Sequence, residues 1–134
     1  MSLKSYSQVN SLKQPLEQQI KGLITYFTSA LQKDINYVLL FGSCAKGTAT
    51  YRSDIDILVI LDTRKLTFKD VQTRRKQLEQ ENESLFFEPL PVQLSFIKLE
   101  ALYSNNQITR EALREGILIF GNEKAFKEAL KESA

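Results

Sequence analysis

A glycine–serine pair and two aspartates carry the residue types best suited to chemistry in this chain. A short apolar run ends at Phe41, Gly42 and Ser43 follow it, and Asp54 and Asp56 come ten residues later. Glycine has no Cβ, so backbone and ligand can come close at Gly42. The hydroxyl of Ser43 and the amides after it can then point at an anion, as unpaired N–H groups do at the start of a helix. The alternative is a simple turn that ends a strand.

The two aspartates enter an apolar segment that is typical of a core strand. Asp54 and Asp56 are two residues apart, and Ile55 and Ile57 flank the second of them. Since side chains alternate along a strand, both carboxylates are expected on the same face. They would repel each other unless a cation or donor compensates. Two hard oxygen ligands beside an anion site are suited to Mg²⁺ on a nucleoside triphosphate, although Asp54 alone also fits a strand-start residue.

Several other site types are excluded by the residues present. A P-loop needs lysine where the chain has Thr48, and an EF-hand needs an oxygen ligand where it has Leu58. The chain has no histidine, which rules out Ser-His-Asp triads, Cys-His dyads and histidine-ligated zinc. Cys44 stands beside the glycine–serine pair, but without a histidine or second cysteine it is expected to be a small packing residue.

The spacing Gly-Ser-x10-Asp-x-Asp resembles the signature of the nucleotidyltransferase superfamily related to DNA polymerase β. More closely it resembles the minimal nucleotidyltransferases, whose best described members are antitoxins paired with HEPN-domain toxins. The resemblance is detailed over residues 37–60 and looser to the end of the chain, where residues 108–120 are similar to the family's closing helix and strand. It implies that Gly42 and Ser43 bind the triphosphate of ATP or another NTP. It also implies that Asp54 and Asp56 are catalytic and bind Mg²⁺ or Mn²⁺.

Two further positions follow from the same resemblance. Lys46 lies three residues after Ser43, where relatives often carry a basic residue, and can neutralise phosphate charge; a solvated loop lysine is the alternative. The family carries a third catalytic carboxylate on a later strand, and here Gln93 stands at that position. A neutral amide has a carbonyl oxygen but cannot accept the proton of an attacking hydroxyl. Glu88 is the nearest acid, but it has the opposite strand parity and is separated by two prolines.

Composition predicts a soluble globular protein of ordinary type. The 134 residues fit one domain, 43% are hydrophobic, 25% are charged and the formal net charge is +2. That charge is too small to indicate nucleic acid or a membrane surface, although nucleic acid stays possible. One cysteine fits a reducing cytoplasm, and no apolar stretch has the length of a signal peptide or membrane span. We therefore expect a cytoplasmic protein.

Hydrophobic periodicity predicts alternating helices and strands around one mixed sheet, an α/β (α+β) fold of nucleotidyltransferase type. We expect one minimal nucleotidyltransferase domain over residues 1–134, with polar residues 1–10 loosely held. Thr67 and Asp70 resemble a capping box, Gly116 is expected to end a helix in a left-handed cap, and Asn122 is expected to cap the last helix. The expected helices cover residues 12–33, 67–84, 105–115 and 122–131, and the expected strands cover residues 36–41, 54–61, 92–97 and 117–120.

The sequence therefore favours a Mg²⁺-dependent protein that transfers a nucleoside monophosphate from ATP or another NTP to a hydroxyl. The chain has no room for a helical domain that holds the acceptor, so we expect a small helical, HEPN-like partner, whose tyrosine is a possible acceptor, or a homo-oligomer. Gln93 favours a rival of another class, a catalytically weak or inactive module of the same fold that acts by binding its partner. Adenylylation of a small molecule is a third alternative, which the missing helical domain weakens.

Overall fold

A computed structural model describes residues 10–29, 35–61, 67–99 and 107–133 of the chain. Expectations for residues 1–9, for the end of the first helix at residues 30–33, for residues 105–106 and for residue 134 lie outside this described part. The helices are α1 (Asn10–Ser29), α2 (Gly42–Lys46), α3 (Phe68–Glu81), α4 (Glu83–Phe87), α5 (Gln107–Glu115) and α6 (Glu123–Ser133), and the strands are β1 (Ile35–Phe41), β2 (Ile55–Leu61), β3 (Val92–Lys98) and β4 (Ile117–Phe120).

The four strands form one mixed sheet in the order β3-β2-β1-β4. β1 pairs antiparallel with β2 and with β4, whereas β2 and β3 run parallel. The antiparallel register places Phe41 opposite Asp56, and the parallel register places Asp56 beside Gln93. The predicted mixed sheet packed against helices is confirmed.

Helices cover both faces of the sheet, and strand alternation separates two cores. On one face, α1 and α4 pack with Ile55 and Ile57 of β2, and the apolar stripe predicted for α1 lies here. On the other face, Ala112 of α5 and Phe126 of α6 pack with the odd positions of β1 and the even positions of β2. Since Asp56 lies between Ile55 and Ile57, its side chain belongs to the α5 face. The buried residues of the α1 stripe are Leu16, Ile20, Leu23 and Phe27.

The ends of the helices both confirm and correct the sequence expectations. Thr67 and Asp70 form the predicted capping box at α3, and the Asn122 side chain accepts the N–H of Ala125 at 2.9 Å, as expected of a cap. The helix expected over residues 67–84 ends at Glu81, and Asn82 separates it from α4.

The left-handed cap expected at Gly116 is wrong, because Gly116 is not among the glycines of positive φ. Glycine is needed there for space: a Cβ would collide with the carbonyl oxygen of Ala112.

A buried glutamine fixes the segment that leads into β3. The Gln19 amide nitrogen donates to the carbonyls of Leu85 and Leu90 at 2.9 and 2.7 Å, and its oxygen accepts the Leu90 N–H at 3.2 Å. A groove of about 680 Å³ runs along this junction between α1 and the α4–β3 connection. Among the described residues, no helix is long and apolar enough to cross a membrane.

Candidate active site

Gly42 and the carboxylate of Asp56 are in immediate contact at the point where β1 ends. Gly42 has φ of +73°, a left-handed conformation that side chains rarely adopt. A Cβ at this position would collide with Oδ2 of Asp56. Both the backbone angle and the space therefore require glycine, and the turn brings the Cα of residue 42 beside the carboxylate. The sequence predicted a close approach of backbone and ligand at Gly42, and the structure shows a close approach of backbone and carboxylate.

The residues after Gly42 form the short helix α2 rather than a loop. Phe41 precedes the helix and offers no side-chain cap, while Gly47 ends it in a left-handed conformation, its N–H donating to the carbonyl of Ser43. Thr48 also donates its N–H to that carbonyl, at 2.9 Å. Ser43 is thus held at the first turn of α2, at the end of the sheet where the two aspartates lie.

Asp54 is positioned by a hydrogen-bonded turn that the sequence did not reveal. The N–H of Thr50 donates to Oγ of Ser53 at 2.9 Å, and the N–H of Ser53 donates to the carbonyl of Thr50 at 3.0 Å. The N–H of Ile55 then donates to the carbonyl of Pro91 at 2.9 Å, which joins β2 to the start of β3. Asp54 lies between these two fixed points and is exposed.

Asp56 is half-buried, and its electrostatic surroundings disfavour its charge. Burial raises the pKa of Asp56 above its usual range, and the negative charges of Asp54 and Glu111 raise it further. A carboxylate with two acidic neighbours and a raised pKa has an unmet demand for positive charge. The same demand follows from the sequence for Asp54 and Asp56, but Glu111 was not foreseen.

Gln93 lies beside Asp56 in the register of two parallel strands. Since paired residues of neighbouring strands project from the same face, the amide of Gln93 belongs to the same side of the sheet as Asp56. Asp54, which was expected to begin the strand, precedes β2 instead. Gln93 is exposed. Glu88, the other residue considered for this role, precedes β3 and lines the groove with Pro15 and Gln18, on the α1 side of the sheet.

Lys46 is the last residue of α2 and forms an ion pair with α5. Its Nζ lies 3.1 Å from Oε2 of Glu115, and the lysine and glutamate side chains are 52% and 27% exposed. Lys46 is therefore helical and paired rather than a loop lysine, but it is also exposed, and its role towards phosphate stays a prediction. Neither Glu111 nor Glu115 was singled out from the sequence, because their proximity to the site depends on where α5 packs.

Cys44 is fully buried in the core between α2 and the sheet. Its thiol donates to the carbonyl of Asp54 at 3.7 Å, and burial, reinforced by the charge of Asp56, raises the pKa of Cys44 to about 12. A thiol with such a pKa stays protonated at neutral pH and is a poor nucleophile. The structure therefore agrees with a packing role.

The donor set near α2 fits a divalent cation that is shared with a ligand. Asp54 and Asp56 supply hard oxygen donors, and a cation beside Asp56 would offset the burial and the acidic neighbours that raise its pKa. The described residues hold no group of three or more acidic, cysteine or histidine side chains that converge on one point. Two carboxylates suit Mg²⁺ when phosphate oxygens and water complete the coordination, which is its usual mode on nucleotides.

Comparison with protein families now identifies the class of the chain. The family model described as Polymerase beta, Nucleotidyltransferase matches residues 21–125, so the chain belongs to this family. A comparison with curated proteins gave no match.

Among the solved structures that share this fold are chains of toxin–antitoxin complexes. The toxin–antitoxin with AMP-PNP matches with 17% identity and a TM-score of 0.54, over 87% of this chain and 82% of that one. A complex of tri-AMPylated Shewanella oneidensis HEPN toxin with MNT antitoxin matches with 14% identity and a TM-score of 0.53, over 87% and 82%. A double Asp-to-Glu mutant of an MntA toxin–antitoxin complex matches with 13% identity and a TM-score of 0.52, over 86% and 82%. The predicted resemblance to minimal nucleotidyltransferases is confirmed at the level of the fold.

Proposed function

We propose that this protein binds a nucleoside triphosphate, ATP in the first instance, with Mg²⁺ or Mn²⁺ at the turn between β1 and α2. The contact between the Gly42 backbone and Asp56 carries the proposal, because it unites the two halves of the sequence motif in one place. Gly42, Ser43 and the amides of α2 would hold the phosphates, and Lys46 would neutralise their charge. Asp54 and Asp56 would hold the metal, which, when bound, offsets charge that develops on the phosphate oxygens.

The reaction that fits this arrangement is transfer of a nucleoside monophosphate to a hydroxyl. The hydroxyl oxygen forms a bond with the α-phosphorus, the bond to the β-phosphate bridging oxygen breaks, and pyrophosphate leaves. The protein orients the triphosphate and stabilises the leaving charge. Gln93 cannot take the hydroxyl proton, so that proton goes to water and the transfer is slow.

The acceptor that we propose is a hydroxyl on a small helical, HEPN-like partner protein. Three observations support this partner. The chain belongs to the nucleotidyltransferase family, chains of its fold occur in toxin–antitoxin complexes, and one of those complexes contains an AMPylated HEPN toxin. The protein would then act as an antitoxin in the cytoplasm.

Calorimetric titration of ATP with and without Mg²⁺ tests the binding step. We expect binding only with the metal, and its loss in the double variant Asp54→Asn/Asp56→Asn. Metal-dependent binding that survives the double substitution would place the site elsewhere. A pull-down from the native host, followed by incubation with α-³²P-ATP, tests whether the partner receives the label.

Gln93 supports a second candidate, a module of the same fold that acts by binding its partner without transfer. The register places the neutral amide beside Asp56, where a carboxylate would complete the acidic site. In that case the Asp54→Asn variant and the Asp56→Asn variant would each still capture and neutralise the partner. If both variants lose the neutralising effect, this candidate fails.

A further inference from the structure

The Lys46–Glu115 ion pair joins the proposed phosphate site to a part of the chain that the motif does not include. Lys46 ends α2, and Glu115 is the last residue of α5, some seventy positions later in the sequence. Their charged atoms are 3.1 Å apart. The lysine that we propose to contact phosphate is thus already paired with a carboxylate of the protein.

The position of Lys46 on α2 allows it to reach the phosphates. Helical side chains lean towards the N-terminus of the helix, over the residues three and four positions earlier. For Lys46 those residues are Ser43 and Gly42, where the triphosphate is proposed to lie. The lysine side chain is half exposed and has a flexible four-carbon stem. The ammonium can therefore move between Glu115 and a phosphate.

Glu115 keeps a partner when Lys46 leaves. Its other oxygen, Oε1, lies 3.5 Å from Nη2 of Arg114. Release of Lys46 does not leave a buried carboxylate unpaired, which would be costly. Lys46 can therefore exchange Glu115 for a phosphate, while Glu115 stays paired with Arg114.

We propose that Glu115 competes with the triphosphate for Lys46 and so lowers the affinity of the site for nucleotides that carry β- and γ-phosphates. The inference rests on the proposed function, since it needs a triphosphate at the β1–α2 turn. Glu115 is then a positioning residue: it sets where the Lys46 ammonium lies in the absence of nucleotide and how strongly ATP is preferred over AMP. Any event that draws α5 away from α2 would release Lys46 and favour ATP binding.

The test is a double-mutant cycle with Glu115→Gln and Lys46→Met, measured by calorimetry with ATP·Mg²⁺ and with AMP as probes. We expect Glu115→Gln to tighten ATP binding by about 1.4- to fivefold, the range that exposed ion pairs cover. AMP binding is expected to stay unchanged, because AMP has no β- or γ-phosphate for Lys46 to contact. In the Lys46→Met background, less than half of the ATP gain is expected to remain.

The titrations are run at near-physiological salt. Repulsion between Glu115 and the triphosphate over more than about 8 Å is then strongly screened, so it adds little to the measured change in ATP affinity. The control is Glu123→Gln, which removes a carboxylate of the exposed Glu123–Lys127 pair on α6. It is expected to leave both affinities unchanged. Thermal unfolding of each variant checks that the fold is kept.

The outcomes distinguish this proposal from the one on which it rests. Weaker or unchanged ATP binding in a folded Glu115→Gln variant overturns the competition, as does a gain of equal size in the Lys46→Met background. If instead the wild type binds no ATP with Mg²⁺ at all, the proposed function fails and the competition fails with it.

Discussion

Asp56 and Gln93 are register partners across the parallel pair β2–β3, and both project from the sheet face that α5 covers. A carboxylate at residue 93 would therefore stand next to Asp56, which we propose as a metal ligand, rather than at a distance from it. The position that the resemblance assigns to a third carboxylate thus lies beside Asp56, and the chain has an amide there. A substitution at Gln93 therefore tests how the chemistry of this one side chain affects metal binding and transfer, while the fold stays the same.

Gln93→Asp is expected to raise Mg²⁺ affinity and to increase nucleotide transfer to a genuine acceptor. The change shortens the side chain by one methylene and supplies a group that can accept the hydroxyl proton, an effect typically worth about 10²–10⁴-fold. The measurement is incorporation of label from α-³²P-ATP into the copurified partner. Glu88→Ala is the matched control and should change nothing. Strong wild-type labelling that Glu88→Ala abolishes would show that Glu88 is the working carboxylate.

Gly42→Ala is expected to destabilise the protein and to remove metal-dependent ATP binding. A left-handed non-glycine residue costs about 1–2 kcal/mol, and here the new Cβ also collides with Asp56. The free energy of unfolding, measured with urea, should fall by at least about 1 kcal/mol. Gly47→Ala is the control for the backbone term, because Gly47 has φ of +77° at the end of α2. Retained ATP binding in a folded Gly42→Ala variant would contradict the proposed role of this contact.

Gln19→Leu is expected to lower the free energy of unfolding by at least about 3 kcal/mol, since it leaves three backbone groups unpaired and each such buried group costs about 1–3 kcal/mol. The substitution deprives the carbonyls of Leu85 and Leu90 and the N–H of Leu90 of their partner. Urea unfolding measures the loss. Gln18→Leu, at the exposed neighbouring position, is the control and should cost far less. Equal losses in the two variants would mean that the hydrogen bonds of Gln19 contribute little to stability.

Local patterns were sufficient to predict most elements of the fold. The apolar spacing of α1 and the alternation in β2 each depend on residues close in sequence, and the capping box at Thr67 is complete within four residues. The end of α3 was predicted less well. No strong breaker interrupts the helical pattern near Asn82, and α4 is fixed by long-range contacts such as the bond from Gln19 to Leu85.

The candidate site was predictable only where the motif is local. The spacing from Gly42 to Asp56 indicates a shared site because a single excursion connects the two strands. Glu111 and Glu115 come from α5, and their proximity to Asp56 and Lys46 depends on the packing of Ala112 against the sheet. Periodicity defines which face of a helix is apolar, but it does not define which residues lie next to that face.

Asp56→Asn is expected to stabilise the protein without metal at neutral pH, while it removes ATP·Mg²⁺ binding. Burial, with the charges of Asp54 and Glu111, raises the pKa of Asp56 above the ordinary value of 3.8. Below that pH the Asp56 carboxyl is neutral in both the folded and the unfolded chain, so it does not change the free energy of unfolding. As the pH rises, the unfolded chain ionises first, so the free energy of unfolding falls until the pH exceeds the raised folded-state pKa. The asparagine of the variant does not ionise, so its free energy of unfolding does not fall in this way.

Thermal unfolding of wild type and Asp56→Asn, followed from below pH 3.8 to neutral pH in the presence of a chelator, measures the difference. The two melting temperatures should converge in acid, and the variant should unfold a few degrees higher at neutral pH. Asp70→Asn is a control of opposite sign, because hydrogen bonds from Thr67 lower the pKa of Asp70 and stabilise the folded chain above the unfolded-state pKa. Addition of ATP with Mg²⁺ should then stabilise the wild type and leave Asp56→Asn unchanged, since only a bound ligand raises the melting temperature. A variant that is less stable than wild type at neutral pH would show that the Asp56 charge is compensated within the protein, and the metal would lose its strongest physical support.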